Sequence, residues 1–484
     1  MSEQAPVPNG PLRDHAVRGL ERNRHLPLLE LSLFLLVWTV CGVAINSANL
    51  SAFNLQQAGI ESMVERRQFS LEGSETPQFK IKVYYYEDGR PFGDTFMYNG
   101  RQYAAKQPGQ FMAGAVVYFF LRLFGLTYLR NYTLASALVS FFTSSAATAL
   151  AALAVFRVTR LFTAGESLLW PLASAVLYAF GTTAFAYSGF AYHDTLAASY
   201  LVIAFYLEVL LARQLVSRRR APLVAAAAGV LLGITITTSM LPFFLVCVLG
   251  VYLILTNRRM VALAAVTGGL IGLASLLIYN ATSFGNPLLN AYMAGGYPES
   301  VLSLNLHNSI DKVRLYATEI TLYDPAIWLG ILALVFYPGA LRRERLLIVA
   351  LFIAQAFQVL NIESHGGCHY GPRFLLPVLP FAAIGLVGFH FLRAKMARRG
   401  MMLAVAAVGA AGIAINVVGA FYGAMYCDVQ AYAFWPGLAA LRSLGLKDLP
   451  LAKWLVVPLF LSLLLLVLSI RLYREHSTDS ASTV

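Results

Sequence analysis

The amino-acid sequence predicts an all-α integral membrane protein, a polytopic bundle of about 12 to 13 transmembrane helices with a large first extracytoplasmic loop. Of the 484 residues, 58% are hydrophobic and 12% are charged, and the mean hydropathy is +0.64. So few polar residues cannot cover a soluble globule of this size. Long apolar runs alternate with short basic clusters, which is typical of membrane helices and their cytoplasmic loops.

The net charge of +12 follows from this topology. The basic residues fall mostly in short clusters between apolar runs, as cytoplasmic loop ends do, so we expect no nucleic-acid partner. The later clusters are 157–160, 213–220, 258–259, 342–345, 393–399 and 471–474. We expect a multi-pass protein of the inner or plasma membrane with both termini in the cytoplasm.

The chain is predicted to form one membrane domain, residues 26–474, between cytoplasmic tails at 1–25 and 475–484. Its first apolar run, 26–45, lacks a convincing cleavage site and is interpreted as an uncleaved signal anchor. The first extracytoplasmic loop then covers 46–110. The remaining predicted spans are 131–156, 166–186, 194–212, 221–237, 239–256, 260–279, 326–341, 346–362, 374–392, 401–424 and 453–470.

The short apolar segment 110–126 determines the helix count. If it lies in the membrane surface, twelve spans place every later basic cluster inside. Counting it as a thirteenth span would put the next several clusters outside. With the segment on the surface, the four loops of unusual polar composition share the extracytoplasmic side, where they can form one site: 46–110, 187–194, 279–325 and 364–373.

The first loop carries the main candidates for chemistry. Asp94 could take a proton, Lys106 and Arg101 could hold an anion, and Pro108-Gly109 sets a turn where the chain re-enters apolar sequence. A plain structural interpretation stays open for both main residues: Asp94 follows a glycine as turn-forming aspartates do, and Lys106 could simply anchor the membrane interface.

The later loops add polar and aromatic groups. Asp194 precedes a helical run and is expected to be its N-cap, with His193 as a second donor or a structural residue. Arg373 enters a span on the side where topology disfavours arginine, and a guanidinium there can grip phosphate. Amides and aromatic rings suit sugars. We expect substrate contacts from Tyr103, His193, Asn280, Tyr292, His369 and Tyr370.

A divalent cation is left open as a cofactor. His365, Cys368 and His369 could bind one, but two histidines and one cysteine on a glycine-rich loop are a weak signal.

Four motifs, in this order, resemble those of bacterial members of the GT-C superfamily, the polytopic glycosyltransferases that use polyprenyl-phosphate sugars. They are YNGRQYAAKQPG, YSGFAYHDTLAA, YNATSFGNPLLNAY and GGCHYGPRFLLPVLPF. The resemblance covers roughly residues 26–380. It implies a GT-C fold and an inverting transferase whose donor enters from the outer leaflet. It also implies that Lys106 and Arg373 bind the donor phosphate and that an acidic residue of the first loop is the catalytic base.

The chain departs from this pattern in one respect. Many relatives, such as the aminoarabinose and protein mannosyl transferases, carry an acid soon after the first span, where this chain has only amides, Asn46, Asn49 and Asn54. An amide cannot accept the proton. We therefore predict Asp94 as the base, with Glu87 or Asp88 as the alternatives.

The residues alone fit the same chemistry. Displacing a polyprenyl phosphate from an anomeric carbon needs a base for the acceptor and cations for the departing phosphate. The expected partners are a polyprenyl-phosphate-linked sugar, a glycan, lipid or protein acceptor, and membrane lipids. A secondary transporter or flippase of a phosphate-containing lipid is the alternative function, and a catalytically silent scaffold is a third.

Overall fold

Helices dominate the structure, a computed structural model that describes residues 25–85, 91–297, 306–362, 369–423 and 432–482. The helices as far as the second large loop are α1 Leu26–Val43, α2 Ser47–Ala52, α3 Asn54–Glu61, α4 Gly109–Leu123, α5 Tyr132–Ser140, α6 Ala146–Phe162, α7 Leu169–Phe180, α8 His193–Ala212, α9 Ala221–Thr238, α10 Phe243–Thr256 and α11 Arg259–Phe284. Those that follow are α12 Ala291–Ala294, α13 Leu306–Tyr323, α14 Ala326–Ala333, α15 Arg342–Asn361, α16 Leu379–Gly385, α17 Lys395–Tyr422, α18 Phe434–Ala440 and α19 Ala452–Ser482.

Within the described ranges, nine helices are long and apolar enough to cross a membrane. One more span is formed if α13 and the helix that follows it, which meet at a bend of 105°, are counted together. The apolar helices α7 and α10 are shorter and occupy two further predicted spans, whereas α4 corresponds to the segment predicted to lie on the surface. The polytopic helical bundle is therefore confirmed.

The first loop is more structured than the sequence indicated. After α2 and α3 come two short antiparallel hairpins, the first pairing β1 Tyr84–Tyr85 with β2 Pro91–Phe92 and the second pairing β3 Thr95–Tyr98 with β4 Arg101–Ala104. Glu87 and Asp88, the alternative bases, lie outside the described residues. The helix α4 then returns the chain to the bundle.

Close glycine contacts bring α9 and α11 together. Gly229 and Gly233 on α9 and Gly268 and Gly272 on α11 face the partner backbone, so that a Cβ at Gly268 would lie 2.9 Å from the carbonyl carbon of Ala226. Small residues spaced by four allow this close approach between membrane helices. The contact fixes the end of α9, which borders the candidate site.

Ion pairs join the helix ends opposite the candidate site. Arg157 Nη2 lies 2.6 Å from Glu30 Oε2, and Arg213 Nε lies 2.9 Å from Glu344 Oε1. These residues belong to the ends of helices for which the sequence predicts the cytoplasmic side. Elements that are far apart in sequence therefore group by side as the predicted topology requires.

The structure adds detail to three sequence-based expectations. Asp194 is not an N-cap, because α8 begins one residue earlier, at His193, and Tyr192 takes the cap position without a capping side chain. The surface segment begins at Gly109 rather than at Gln110. The last helix continues to Ser482 and so includes most of the segment predicted as the C-terminal tail.

Candidate active site

A hairpin in the first loop places Asp94 beside Lys106. Its turn is Asn99-Gly100, and both residues have positive φ, 49° and 77°, as a two-residue hairpin turn of type I′ requires. The strands pair Thr95 with Ala104, so the residues just outside the hairpin, Asp94 and Lys106, come together. The backbone N–H of Ala105 also donates to the carbonyl of Asp94 at 2.7 Å. The hairpin thus brings Asp94 and Lys106 together although they are twelve positions apart in the sequence.

The two side chains form an ion pair. Lys106 Nζ lies 2.8 Å from Asp94 Oδ1, and the side chain of Lys106 is 8% exposed whereas that of Asp94 is 57% exposed. The lysine therefore reaches the pair from within the protein, and the carboxylate stays accessible. Tyr297 steadies the turn before β3, since its hydroxyl donates to the carbonyl oxygens of Gly93 and Thr95 at 2.9 and 3.1 Å.

The surroundings keep both members of the pair charged. Enclosure by protein would by itself raise the pKa of the Asp94 carboxyl, but the charge and hydrogen bond of Lys106, helped by Arg373, hold that pKa below its ordinary value. Burial would lower the pKa of Lys106, but Asp94 outweighs it and the pKa is raised. Asp94 is consequently a weak base as long as it is paired with Lys106.

Arg373 approaches the same pair from the loop before a later span. Gly371, at φ +67°, turns the chain, and the N–H of Arg373 donates to the carbonyl of Gly371 at 2.9 Å. The guanidinium Nη1 donates to the hydroxyl of Tyr192 at 2.6 Å. Tyr192 in turn stacks on Tyr187, whose hydroxyl accepts from the N–H of Tyr370 at 3.0 Å. Residues from two loops therefore hold the arginine in place.

His193 and Asp194 complete this group at the start of α8. Both are buried, and His193 Nε2 lies 3.5 Å from Asp194 Oδ1. The same carboxylate oxygen accepts a hydrogen bond from Ser239 Oγ at 2.7 Å. In the first turn of a helix a carboxylate also interacts favourably with the helix dipole. Asp194 is thus a second acid near Asp94. The sequence did not indicate this, because Asp194 was expected to be an N-cap.

Electrostatic interactions connect these groups. Asp94 is influenced by Lys106, Arg373 and His193. Tyr292, on the short helix α12, is influenced by both cations and by Asp94 and Asp194, and burial raises the pKa of its phenol, which stays neutral. Five predicted site residues are therefore brought together: Asp94, Lys106, His193, Tyr292 and Arg373.

The other predicted site residues lie apart from this charged cluster. Arg101 is exposed beside the hairpin turn, and the hydroxyl of Tyr103 donates to the carbonyl of Ser283 at 3.3 Å. Asn280 Nδ2 donates to the carbonyl of Pro287 at 3.0 Å.

The two remaining predicted site residues, His369 and Tyr370, belong to the loop of Arg373. His369 Nε2 lies 3.2 Å from Glu319 Oε1, and the hydroxyl of Tyr370 donates to the carbonyl of Ile415 at 2.6 Å. All five of these outlying side chains have contacts of their own, and their roles toward a substrate stay predictions.

The amides that replace the early acid have contacts of their own as well. The side chain of Asn46 accepts from the N–H of Asn49 at 2.8 Å, as an N-cap does, and donates to the carbonyl of Ala420 at 2.9 Å. Asn54 Nδ2 donates to the carbonyl of Gln78 at 2.8 Å.

Across the described residues, no group of three or more His, Cys, Asp or Glu side chains is arranged to hold a metal ion. Two of the three residues that the sequence suggested for a divalent cation, His365 and Cys368, lie outside those residues.

The sequence contains signals that would have identified more of the site. Asn-Gly between the alternating residues TFMY and RQYA is a strong hairpin signal, and it predicts which acid meets Lys106. Tyr192 and Ser239 carry no comparable signal. Their contacts join elements that are far apart in the sequence, Tyr192 to Arg373 and Ser239 to Asp194.

Comparison with solved structures gives the class of the fold. ArnT from Cupriavidus metallidurans in the apo state is similar with a TM-score of 0.50 and 13% sequence identity, over 93% of this chain and 77% of that chain. ArnT bound to undecaprenyl phosphate gives a TM-score of 0.49 and 15% identity, over 94% and 78%. The Archaeoglobus fulgidus oligosaccharyltransferase AglB, in complex with an inhibitory peptide and a dolichol-phosphate, gives 0.49 and 12%, over 89% and 59%.

The chain therefore has a membrane fold similar to that of ArnT, as the resemblance of its motifs implied, and it spans only about six tenths of the length of AglB. No protein-family profile matches the chain, and no curated protein sequence is significantly similar to it.

Proposed function

We propose that the protein is an inverting glycosyltransferase that moves a sugar from a polyprenyl-phosphate donor to an acceptor at the outer face of the membrane. The observation that carries this proposal is the ion pair of Lys106 with the accessible carboxylate of Asp94, whose pKa the charge of Arg373 also lowers, at the end of the bundle away from the Arg157–Glu30 and Arg213–Glu344 pairs. Two cations and an acid are what phosphate departure and acceptor deprotonation need. The fold shared with ArnT is consistent with it.

Lys106 and Arg373 are suited to hold the donor phosphate. Arg373 uses Nη1 for Tyr192, and its buried Nε has no hydrogen-bond partner in the protein as described. A phosphate oxygen would satisfy that donor with a charge-assisted hydrogen bond. The ammonium group of Lys106 then binds both the same phosphate and the carboxylate of Asp94. The lipid tail then lies in a groove between membrane helices.

Donor binding also prepares Asp94 for catalysis. The ion pair with Lys106 keeps the pKa of the Asp94 carboxyl low. A bound phosphate offsets the lysine charge, so the pKa of Asp94 rises toward a value that suits a general base. The acceptor is then deprotonated only when a donor is present.

The reaction proceeds by inversion at the anomeric carbon. The acceptor oxygen attacks that carbon on the face opposite the phosphate and forms the new glycosidic bond. Its proton passes to Asp94, and the electron pair of the breaking carbon–oxygen bond leaves with the polyprenyl phosphate, where Lys106 and Arg373 stabilise the added charge.

Asp194 is the competing candidate for the base. It is buried, it accepts from Ser239, and it lies beside His193, whose Nδ1 has no partner within the described residues. Its hydrogen bond and burial are typical of a residue that holds its neighbours, whereas Asp94 is open to an acceptor. We therefore assign the base to Asp94 and a positioning role to Asp194.

The experiment is transfer of radiolabelled sugar from a panel of polyprenyl-phosphate donors to membrane extracts that contain the purified protein. We expect transfer by the wild type, none by Asp94→Asn, and a large loss with Arg373→Ala. Near-normal transfer by Asp94→Asn, with loss in Asp194→Asn, would move the base to Asp194. Donor binding without transfer from any donor would contradict the enzyme.

Transport of a lipid phosphate is a second candidate function because of Glu208. This residue is buried within the membrane-spanning helix α8, and neither carboxyl oxygen has a hydrogen-bond partner among the described residues. Buried acids in spans often mark transport pathways. A transporter would lose lipid movement in Glu208→Gln, whereas the transferase proposed here keeps normal sugar transfer in that variant.

A further inference from the structure

Two buried glutamines flank the turn that follows Lys106. Gln107 and Gln110 are each 1% exposed, on either side of Pro108-Gly109 at the start of α4. The side-chain oxygen and nitrogen of both residues lack any hydrogen-bond partner among the residues that the structure describes. The large majority of buried side-chain polar atoms in proteins are hydrogen-bonded, so four unsatisfied atoms within four residues need an explanation.

The cost of this arrangement indicates a function. A buried amide group without a partner loses about 1 to 3 kcal/mol of hydration that nothing in the protein replaces. Methionine has nearly the same volume as glutamine and would fill the same space without this cost. A pair of amides that the fold does not use is therefore better explained by a ligand than by packing.

The glutamines lie next to the charged cluster. Gly109, between them, packs so closely on α9 that a Cβ at this position would lie 2.8 Å from the backbone nitrogen of Thr238. The next residue, Ser239, donates to Asp194. On the other side, Gln107 directly follows Lys106, which is paired with Asp94. The turn therefore links the two acids of the site.

We propose that Gln107 and Gln110 bind the hydroxyl groups of the sugar that the donor carries, a subsite that rests on the proposed function. In a polyprenyl-phosphate sugar the phosphate is bonded directly to the sugar ring. The turn that follows the lysine is therefore close to where the ring of a bound donor would lie. A primary amide both donates and accepts, as a sugar hydroxyl does, so both unsatisfied atoms of each glutamine gain partners.

This chemistry favours a neutral polyhydroxylated sugar over a charged one. The two amides carry no charge, whereas the charges nearby are already assigned to the phosphate and the acceptor. Two amides on one turn suit two hydroxyl groups of a single ring. The subsite thus gives the enzyme a way to distinguish a sugar-carrying donor from the bare lipid phosphate that it releases.

The test compares two ligand types on the full-length protein in lipid nanodiscs. The first is bare undecaprenyl phosphate, and the second is a panel of undecaprenyl-phosphate glucose, mannose, galactose and arabinose. We expect the wild type to bind at least one sugar-carrying donor more tightly than bare undecaprenyl phosphate. In Gln107→Met and in Gln110→Met this preference falls by about tenfold, while the affinity for undecaprenyl phosphate stays unchanged.

Gln102→Met is the matched control. The amide of Gln102, in the same loop, already donates to the carbonyl of Ile81 at 2.9 Å. Its replacement should lower thermal stability and leave the donor preference intact. The two other methionine variants should be at least as stable as the wild type, because they remove unsatisfied amides.

The proposal is overturned if no donor exceeds bare undecaprenyl phosphate in the wild type, or if the preference survives in both glutamine variants. Survival combined with a higher KM for the acceptor would overturn it too, because the amides would then face the acceptor. Failure of the proposed function gives a different pattern: undecaprenyl phosphate itself would bind the wild type and Arg373→Ala equally.

Discussion

At the scale of single residues, the pairing of Asp94 with Lys106 sets the state of the site. The folded protein lowers the pKa of Asp94 from its ordinary 3.8 and raises that of Lys106 from 10.5. The stabilisation from Asp94 is therefore present above its ordinary pKa and is lost as the pH falls through the lowered value. That from Lys106 is present below its ordinary pKa and is lost as the pH rises through the raised value.

The pH dependence of transfer follows from this pair. If Asp94 is the base, kcat/KM reports its pKa in the free enzyme, and the acidic limb should lie below about pH 4. In Lys106→Met the carboxyl loses the cation that lowers its pKa, so the limb of the residual activity should move upward. The measurement is kcat/KM from about pH 3.5 to 8 in both proteins. An unchanged acidic limb would show that the titration of Asp94 does not determine kcat/KM.

The individual residues of the site were predictable to different degrees. Asp94, Lys106 and Arg373 stand out because charged side chains are rare in so apolar a chain. Gln107 and Gln110 did not stand out, since a glutamine near a turn is ordinary, and only burial without partners distinguishes them. Asp194 was misassigned, because helix α8 begins one residue before it rather than after it.

At the scale of elements, the packing of α9 on α11 holds the end of α9 that contacts the site. The glycines of these helices contact carbonyl groups of the facing backbone, and the end of α9 carries Ser239, which binds Asp194. A methyl group in this contact must push the helices apart. Such overpacking typically costs about 1 to 3 kcal/mol.

Two adjacent glycines of α11 test this arrangement. Gly268→Ala places a Cβ 2.9 Å from the carbonyl carbon of Ala226, so we expect a loss of about 1 to 3 kcal/mol in stability and weaker transfer. Gly269→Ala is the control, because its nearest neighbour, the carbonyl oxygen of Gly229, lies 3.7 Å away. Thermal unfolding of both variants is the measurement. Equal destabilisation would contradict the close contact.

The prediction of elements succeeded where hydrophobicity decides and failed where local turns decide. Long apolar runs predicted the spans, because a helix is the form in which a single segment satisfies its backbone in lipid. The β3–β4 hairpin was not predicted, although its Asn-Gly turn is visible in the sequence. Asp324, at the bend between α13 and α14, accepts from both the N–H and the hydroxyl of Thr183. Such a long-range contact cannot be identified from spacing alone.

At the scale of the whole molecule, the two ends of the bundle differ in character. One end carries the cluster around Asp94, and the other carries the Arg157–Glu30 and Arg213–Glu344 pairs together with basic loops. The positive-inside bias assigns the basic end to the cytoplasm. The donor would then reach the site from the outer leaflet.

Cysteine labelling tests this orientation. In a variant whose native cysteines are replaced, Arg101→Cys lies on the exposed hairpin at the site end, and Arg219→Cys lies in the exposed loop between α8 and α9. We expect a membrane-impermeant maleimide to label the first in intact cells and the second only after lysis. The reverse pattern would place the site in the cytoplasm and exclude an outer-leaflet donor.

The number of spans was predictable because it depends on sums over many residues. The twelve expected spans correspond to the nine long helices, the bent pair and two of the shorter apolar helices in the described ranges. The placement of α4 on the membrane surface stays a prediction from the charge pattern. The folding of the loops over the site could not be predicted from the sequence, since it depends on individual contacts such as the one between Arg373 and Tyr192.

The central claim is that Lys106 and Arg373 form a site for a lipid phosphate, and its most direct test is binding of undecaprenyl phosphate to the purified protein. We predict that Lys106→Met and Arg373→Ala each weaken binding at least tenfold, since each removes a charged partner worth about 1.5 to 3 kcal/mol. Arg122→Ala, which removes an exposed arginine paired with Glu65, should bind as the wild type does. Equal binding by all four proteins would contradict the claim.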